Sequence, residues 1–157
     1  EGHTDGVLTT AFTKDGKIGI SGSWDNSARV WDLETGKRIH TLTAHSERVS
    51  SVDITDGGRY AITGSNDSSM HLWNLDQGVT EQEFDGHTER IQIVAFHPNG
   101  REMITGSIDT TATVWRFPHP LDQLLGWIDK NRYVPELNCT EREVYQIEPY
   151  CADEDDD

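Results

Sequence analysis

Short runs of alternating apolar and polar residues fill the first three-quarters of the chain, and turn residues separate them. The first four runs fall at residues 7–12, 18–21, 28–31 and 38–42. The turn Lys14-Asp15-Gly16-Lys17 follows the first of them. Runs of this length, bounded by Asp-Gly, Gly-Gly and Asn-Gly turns, are typical of short antiparallel strands. The pattern therefore predicts an all-β fold built from groups of four strands.

Two further groups follow the first. The second is predicted to have strands at residues 49–54, 60–63, 70–73 and 79–84, and the third at 91–96, 102–105 and 112–115. Pro118-His119-Pro120 stands where the last strand of the third group would begin. Proline cannot donate a hydrogen bond to a strand ladder. We therefore expect the third group to lack its outer strand.

The three groups are copies of one repeat. A step of 42 residues separates Trp31, Trp73 and Trp115. The same step relates three further sets of residues, which are Asp25, Asp67 and Asp109; Gly16, Gly58 and Gly100; and His3, His45 and His87. Three copies in one register indicate a repeat architecture, in which neighbouring units bury a shared core that no unit forms alone.

One stretch carries the strongest signature. Residues 22–33 read Gly-Ser-Trp-Asp-Asn-Ser-Ala-Arg-Val-Trp-Asp-Leu, and the stretch recurs at 64–75 and 106–117. A period of about 40–45 residues with a Gly-His start and a Trp-Asp end is the signature of a propeller blade. Residues 1–117 resemble the WD-repeat family. The resemblance implies three four-stranded β-propeller blades at about 1–43, 44–85 and 86–117, the third without its outer strand, whereas closed propellers typically have 4–8 blades.

Each copy contains a His, a Ser or Thr, an Asp and a Trp that suggest a Ser-His-Asp hydrolase. The resemblance implies instead a hydrogen-bonded structural tetrad in each blade. The tetrads are His3, Ser21, Asp25 and Trp31; His45, Thr63, Asp67 and Trp73; and His87, Thr105, Asp109 and Trp115. Three copies, of which two carry Thr, fit a scaffold better than a unique nucleophile, and the sequence has no Gly-x-Ser-x-Gly elbow. We expect no enzymatic activity.

The resemblance also implies a protein-binding face. It is formed by the loop before the first, inner strand of each group and by the loop between the second and third strands. The variable residue before each turn aspartate belongs to it, together with neighbouring loop residues. The predicted face consists of Trp24, Asn66, Ile108, Asp5, Glu47, Arg48, Glu89 and Arg90. Trp and Arg are the residue types enriched at binding hot spots.

Composition limits the classes of partner. The net charge is −15, with 28 acidic and 13 basic residues, which disfavours nucleic acid and anionic lipid. No apolar run approaches the ~20 residues of a membrane span. Cys139 and Cys151 are too few for a disulfide scaffold and lack the paired spacing of a zinc site. We therefore favour two buried thiols over a disulfide or a metal site, and we expect a cytoplasmic protein. No motif calls for a metal or another cofactor.

The remaining residues depart from the repeat. Leu121, Leu124, Leu125 and Ile128 predict a helix over about 120–131, and a capping box from Thr140 to Glu143 predicts another. We expect a helical C-terminal extension at 118–152 and an acidic tail at 153–157. Residues 124–128 read Leu-Leu-Gly-Trp-Ile and residues 145–151 read Tyr-Gln-Ile-Glu-Pro-Tyr-Cys. With these stretches the extension resembles that of large bacterial WD-repeat proteins, in which the propeller often serves as the sensor for a STAND-type NTPase, a caspase-like protease or a kinase.

These observations predict a protein–protein interaction scaffold. The expected partner is another protein or an upstream domain of the same polypeptide, with this chain as the C-terminal sensor of a larger bacterial signalling or defence protein. The alternative is a self-assembling module, in which two or three chains complete a propeller through their open edges. The sequence favours a segment of a longer protein over self-assembly.

Overall fold

The computed structural model describes residues 2–100 and 102–116, and the regular structure of these residues is entirely β. Eleven strands follow one another: β1 Val7–Phe12, β2 Ile18–Ser23, β3 Ala28–Asp32, β4 Lys37–Leu42, β5 Val49–Ile54, β6 Tyr60–Ser65, β7 Met70–Asn74, β8 Val79–Phe84, β9 Ile91–Phe96, β10 Glu102–Ser107 and β11 Ala112–Arg116. The two helices predicted for residues 118–152 lie outside the described residues, as do the acidic tail, Cys139 and Cys151.

The strands form three antiparallel sheets, each in simple up-and-down order. They are blade 1 (β1-β2-β3-β4), blade 2 (β5-β6-β7-β8) and blade 3 (β9-β10-β11). Short turns make each connection possible, and Gly16, Gly58 and Gly100 adopt positive φ at the turn between the first two strands of each blade. Blade 3 has three strands among the described residues, and the residues that would form a fourth lie outside them.

The core lies between the blades. One apolar cluster joins blade 1 to blade 2, and a second joins blade 2 to blade 3. Strand β6 shows how the middle blade serves both, because Ala61 packs in the first cluster while its neighbours Tyr60 and Ile62 pack in the second. Alternate side chains of a strand point to opposite faces, so a strand buried on both faces must be apolar at successive positions.

The outer faces of the first and last blades expose the positions that are buried elsewhere. Ile62 and Leu72 of blade 2 are 0% exposed, whereas their repeat equivalents in blade 3, Ile104 and Val114, are 46% and 63% exposed. On the opposite side, Phe12 of blade 1 is 70% exposed. The described unit therefore has two open apolar faces, one on blade 1 and one on blade 3.

Candidate functional site

A chain of hydrogen bonds crosses each blade. In blade 2 the donor and the acceptor of each bond can be identified. The indole Nε1–H of Trp73 donates to Thr63 Oγ1 over 2.9 Å. Thr63 Oγ1 lies 2.7 Å from His45 Nε2, and His45 Nδ1 lies 3.0 Å from Asp67 Oδ2. Because an ionised carboxylate only accepts, Nδ1 carries the proton, and Nε2 accepts from the Thr63 hydroxyl. The four side chains predicted as a tetrad thus form one directional network.

The other two blades repeat this network. In blade 1 the successive distances are 2.9 Å from Trp31 to Ser21, 2.8 Å from Ser21 to His3 and 2.9 Å from His3 to Asp25. In blade 3 the successive distances are 2.8 Å from Trp115 to Thr105, 2.7 Å from Thr105 to His87 and 2.7 Å from His87 to Asp109. A further hydroxyl that the sequence reasoning missed donates to each aspartate, at Ser27, Ser69 and Thr111. The 42-residue step also relates these three residues and is the signal that identifies them.

The tetrad aspartates are held as carboxylates. Burial alone would raise the pKa of Asp67, but hydrogen bonds from His45 and from the side chain and backbone of Ser69 outweigh it and hold the pKa well below the ordinary 3.8. Asp25 has the same balance of burial and hydrogen bonds. For Asp109, the hydrogen bond from Thr111 is the largest cause of its lowered pKa. Each tetrad aspartate is therefore ionised at neutral pH and can only accept hydrogen bonds.

The networks fix the loops that carry the predicted binding face. In blade 2, Asp67 Oδ2 also accepts the backbone N–H of Ser46 over 2.9 Å, which ties the turn between β6 and β7 to the loop before β5. The residue before that aspartate, Asn66, donates its backbone N–H to the Arg48 carbonyl over 3.1 Å. The same backbone bond joins Trp24 to Gly6 at 2.9 Å and Ile108 to Arg90 at 3.2 Å. We call Trp24, Asn66 and Ile108 the tip residues. Backbone hydrogen bonds to the neighbouring loop hold each of them in place.

The structure brings most of the predicted face together in two adjoining grooves. Trp24, Arg48, Asn66 and Arg90 line the first, which we call the tip groove. Asp5 and Glu47 line the second, which also reaches Trp24 and Arg48. The guanidinium of Arg48 lies over the Trp24 ring, 4.9 Å from its centroid. Trp24 of blade 1 and Arg48 of blade 2 thus contact each other across the boundary between the blades.

Two predicted residues stand apart from these grooves. Ile108 is 38% exposed and lines neither of them, and Glu89 is exposed but also lines neither. The tip groove instead includes Leu8 and Ile93, which the sequence reasoning did not assign to the face. Both are strand residues that remain exposed, at 47% and 61%. Apolar side chains at exposed strand positions are the signal that could have identified them.

Comparison with known families agrees with the geometry of the blades. The family model described as "WD domain, G-beta repeat" matches residues 1–32, 36–74 and 78–116. The chain belongs to the WD40 family. WD40 repeats indicate a protein-interaction scaffold.

The curated relatives resemble single stretches of this WD40 chain. A probable E3 ubiquitin ligase complex SCF subunit, sconB of Arthroderma benhamiae, is 49% identical over 41 residues, which are 26% of this chain and 6% of the relative. The dynein assembly factor with WD repeat domains 1 of Danio rerio is 36% identical over 45 residues, 29% of this chain and 11% of the relative. Eukaryotic translation initiation factor 3 subunit I of Schizosaccharomyces pombe is 40% identical over 40 residues, 26% of this chain and 12% of the relative. The matched stretch is thus at most 12% of the length of these three proteins.

The described WD40 blades contain neither a candidate membrane span nor a candidate metal cluster. Across residues 2–100 and 102–116, no helix is long and apolar enough to cross a membrane. In the same ranges, no three His, Cys, Asp or Glu side chains are grouped as metal ligands would be.

Proposed function

We propose that this WD40 chain recognises a protein partner through the tip residues of its blades. The observation that carries the proposal is the cation–π contact between Arg48 and Trp24, of which Trp24 is 47% exposed. A large aromatic ring kept at the surface on a rigid loop loses little conformational entropy when a partner binds. The tetrads supply that rigidity, since they fix the loops beneath both residues.

The proposed function involves no catalysis. Although the tetrads contain the atoms of a Ser-His-Asp triad, the Thr63 and Thr105 side chains are 0% exposed and Ser21 is 6% exposed. Each hydroxyl oxygen also accepts an indole N–H, so its lone pair is engaged and a substrate cannot reach it. These features favour a structural role for the tetrads.

The chain is proposed to act within a larger polypeptide. In this view it is the C-terminal sensor of a cytoplasmic bacterial signalling or defence protein, in which the binding of a partner shifts the equilibrium of an upstream effector domain such as a STAND-type NTPase. The resemblance of residues 118–152 to the extension of such proteins supports the proposal. Its partner would be another protein or an upstream domain.

A peptide selection tests the recognition face. Peptides from a random phage library would be selected on the immobilised chain, and their dissociation constants measured on the double variant Trp24→Ala, Arg48→Ala. We expect at least tenfold weaker binding with little change in melting temperature. The matched control is Phe12→Ala with Lys14→Ala at the β1–β2 end of blade 1. If the selected peptides bind the tip variant as tightly as the native chain, the proposed face is wrong.

The two open apolar faces favour a second candidate, self-assembly. Val114 is exposed on blade 3, but its repeat equivalent in blade 1, Val30, is buried against blade 2. Likewise, Phe12 is exposed on blade 1, but its equivalent in blade 2, Ile54, is buried against blade 1. Head-to-tail pairing of two or three chains would therefore reproduce an interface that the chain already makes.

Light scattering tests this second candidate. Self-assembly predicts a mass of two or three times 17.7 kDa that persists on dilution. Val114→Asp should then dissociate the assembly, whereas Ile39→Asp on the exposed outer strand β4 should not. A monomer at every concentration would contradict it.

A further inference from the structure

The tip groove has a charge opposite to that of the chain. The net charge is −15, yet among the described residues the charged ones that line this groove are Arg48 and Arg90. Among residues 2–100 and 102–116, no Asp or Glu lies within ion-pair distance of either guanidinium, although other arginines of the chain pair with carboxylates, as Arg59 does with Asp76. Both guanidiniums therefore keep their hydrogen-bond donors available for a ligand.

Arg48 is oriented before any ligand arrives. Its guanidinium carbon lies over the Trp24 ring, 4.9 Å from the ring centroid, and the contact holds the cation beside the groove. The ring itself lies over Gly6, where an added Cβ would be 3.7 Å from Trp24 Cδ2. Gly6 is the repeat equivalent of Arg48 and Arg90, so blade 1 has no arginine at this position beside the indole. A donor fork that is already positioned loses less entropy on binding a carboxylate.

An apolar strip accompanies the two cations. Leu8, Trp24 and Ile93 line the same groove and are 47%, 47% and 61% exposed. A ligand that fills the groove must therefore combine negative charge with at least one apolar side chain. Carboxylate side chains beside a Leu or a similar residue have this combination, and their two oxygens match the fork of an arginine.

We propose that the tip groove binds a short acidic protein segment that presents an apolar side chain between carboxylates, with Arg48 and Arg90 as the carboxylate ligands. This proposal rests on the proposed function and specifies its partner class. A protein segment fits better than a nucleic acid, because Asp5 and Glu47 line the adjoining groove and would repel a continuous phosphate backbone.

Fluorescence anisotropy of defined peptides tests the proposal on the full chain. The probe is a labelled peptide with four Glu residues around a central Leu, and the controls replace every Glu by Gln or the Leu by Gly. We expect the Glu peptide to bind at least tenfold more tightly than the Gln peptide, and binding to weaken as salt rises. Arg48→Gln and Arg90→Gln should each weaken it about fivefold or more. The matched control Arg38→Gln removes the same charge from the exposed strand β4 and should change binding less than twofold.

The possible failures are distinguishable. Equal binding of the Glu and Gln peptides, an equal effect of Arg38→Gln, or no binding of the Glu peptide at millimolar concentration would overturn the acidic-segment proposal. Displacement of the peptide by a single-stranded oligonucleotide of similar affinity would overturn it in favour of a nucleic-acid site. If the library-selected peptides still lose affinity on the Trp24 and Arg48 variant, the recognition face stands and the partner class alone is wrong.

Discussion

The imidazole of His71 packs edge-on against that of His45, with ring centroids 4.5 Å apart and an interplanar angle of 77°. His71 is 4% exposed, and among the described residues its Nδ1 has no hydrogen-bond partner. Burial is the largest cause that lowers the pKa of His71 to about 4; the electrostatic effect of the neighbouring His45 lowers it further, against the opposing effects of Asp67 and Asp85. Its Nε2 lies 4.0 Å from Glu83, which is too long for a good hydrogen bond. Blade 2 therefore buries a neutral histidine.

This burial predicts a stability that falls on mild acidification. The unfolded chain binds a proton at His71 below about pH 6.5, whereas the folded chain does so only near pH 4, so the unfolded state gains protons between these values. Stability should fall as the pH drops from about 6.5 to about 4, by up to about 3 kcal/mol. Urea unfolding of the native chain and of His71→Thr, the residue type at the equivalent position 113, measures the difference. The control His97→Gln changes an exposed histidine, and a His71→Thr variant with the native pH slope would contradict the assignment.

The hydroxyl at the centre of each tetrad predicts a large effect for a small change. Thr63→Val keeps the shape but leaves the Trp73 indole and His45 Nε2 buried without partners, which should cost about 2–4 kcal/mol of unfolding free energy. Thr63→Ser retains the hydroxyl, as Ser21 does in blade 1, and should cost much less. Chemical denaturation measures both. Thr41→Val on β4, where the side chain is exposed, is the control with an expected change below about 0.5 kcal/mol. Equal losses at Thr63 and Thr41 would remove the case for a stabilising network.

The repeat made most of the fold predictable, and the departures have local causes. Strand β8 has the predicted bounds, Val79–Phe84. Strand β2 was predicted to end at Ser21 but continues to Ser23, because Gly22 pairs with Thr9 and Ala28 in the ladder and is not a turn residue. A glycine suggests a turn when the sequence alone is read, whereas here it permits a close approach between sheets.

The binding face was predictable in part. The 42-residue step placed the tip residues on one end of the blades, because equivalent positions of a repeat have equivalent locations. It did not predict the contact of Arg48 with the Trp24 ring, which depends on the spacing between adjacent blades. Nor did it predict the environment of His71, whose repeat equivalents are Arg29 and Thr113. A repeat pattern identifies what the copies share, and these contacts arise from what they do not share.

The glycines of strands β6 and β10 predict a difference between two otherwise equivalent sites. An added Cβ at Gly64 would lie 2.6 Å from Val94 Cγ1 and 2.7 Å from Ile91 Cγ2, in the inner strand of the next blade. Gly64→Ala should therefore cost about 1–3 kcal/mol through overpacking. At Gly106 the nearest atom is Ile93 Cγ2 at 2.9 Å, on a side chain that is 61% exposed and free to turn away. Gly106→Ala should cost less than about 1 kcal/mol. Denaturant midpoints measure the loss of stability in both variants. Equal losses would show that close packing between blades 2 and 3 does not cause the destabilisation by Gly64→Ala.

The turn residue after each tetrad aspartate offers a stabilising change. Asn26, Ser68 and Thr110 all adopt positive φ, at 63°, 71° and 71°. Asn tolerates this left-handed conformation, whereas a β-branched residue such as Thr is strained there. Thr110→Asn should raise the unfolding free energy by about 1 kcal/mol, because it relieves the strain while the Asp109 network stays intact. Thr110→Ala is the matched control, since alanine keeps a Cβ in the same conformation and should gain less. Thermal unfolding measures both, and an Asn variant no more stable than the Ala variant would place the strain elsewhere in the turn.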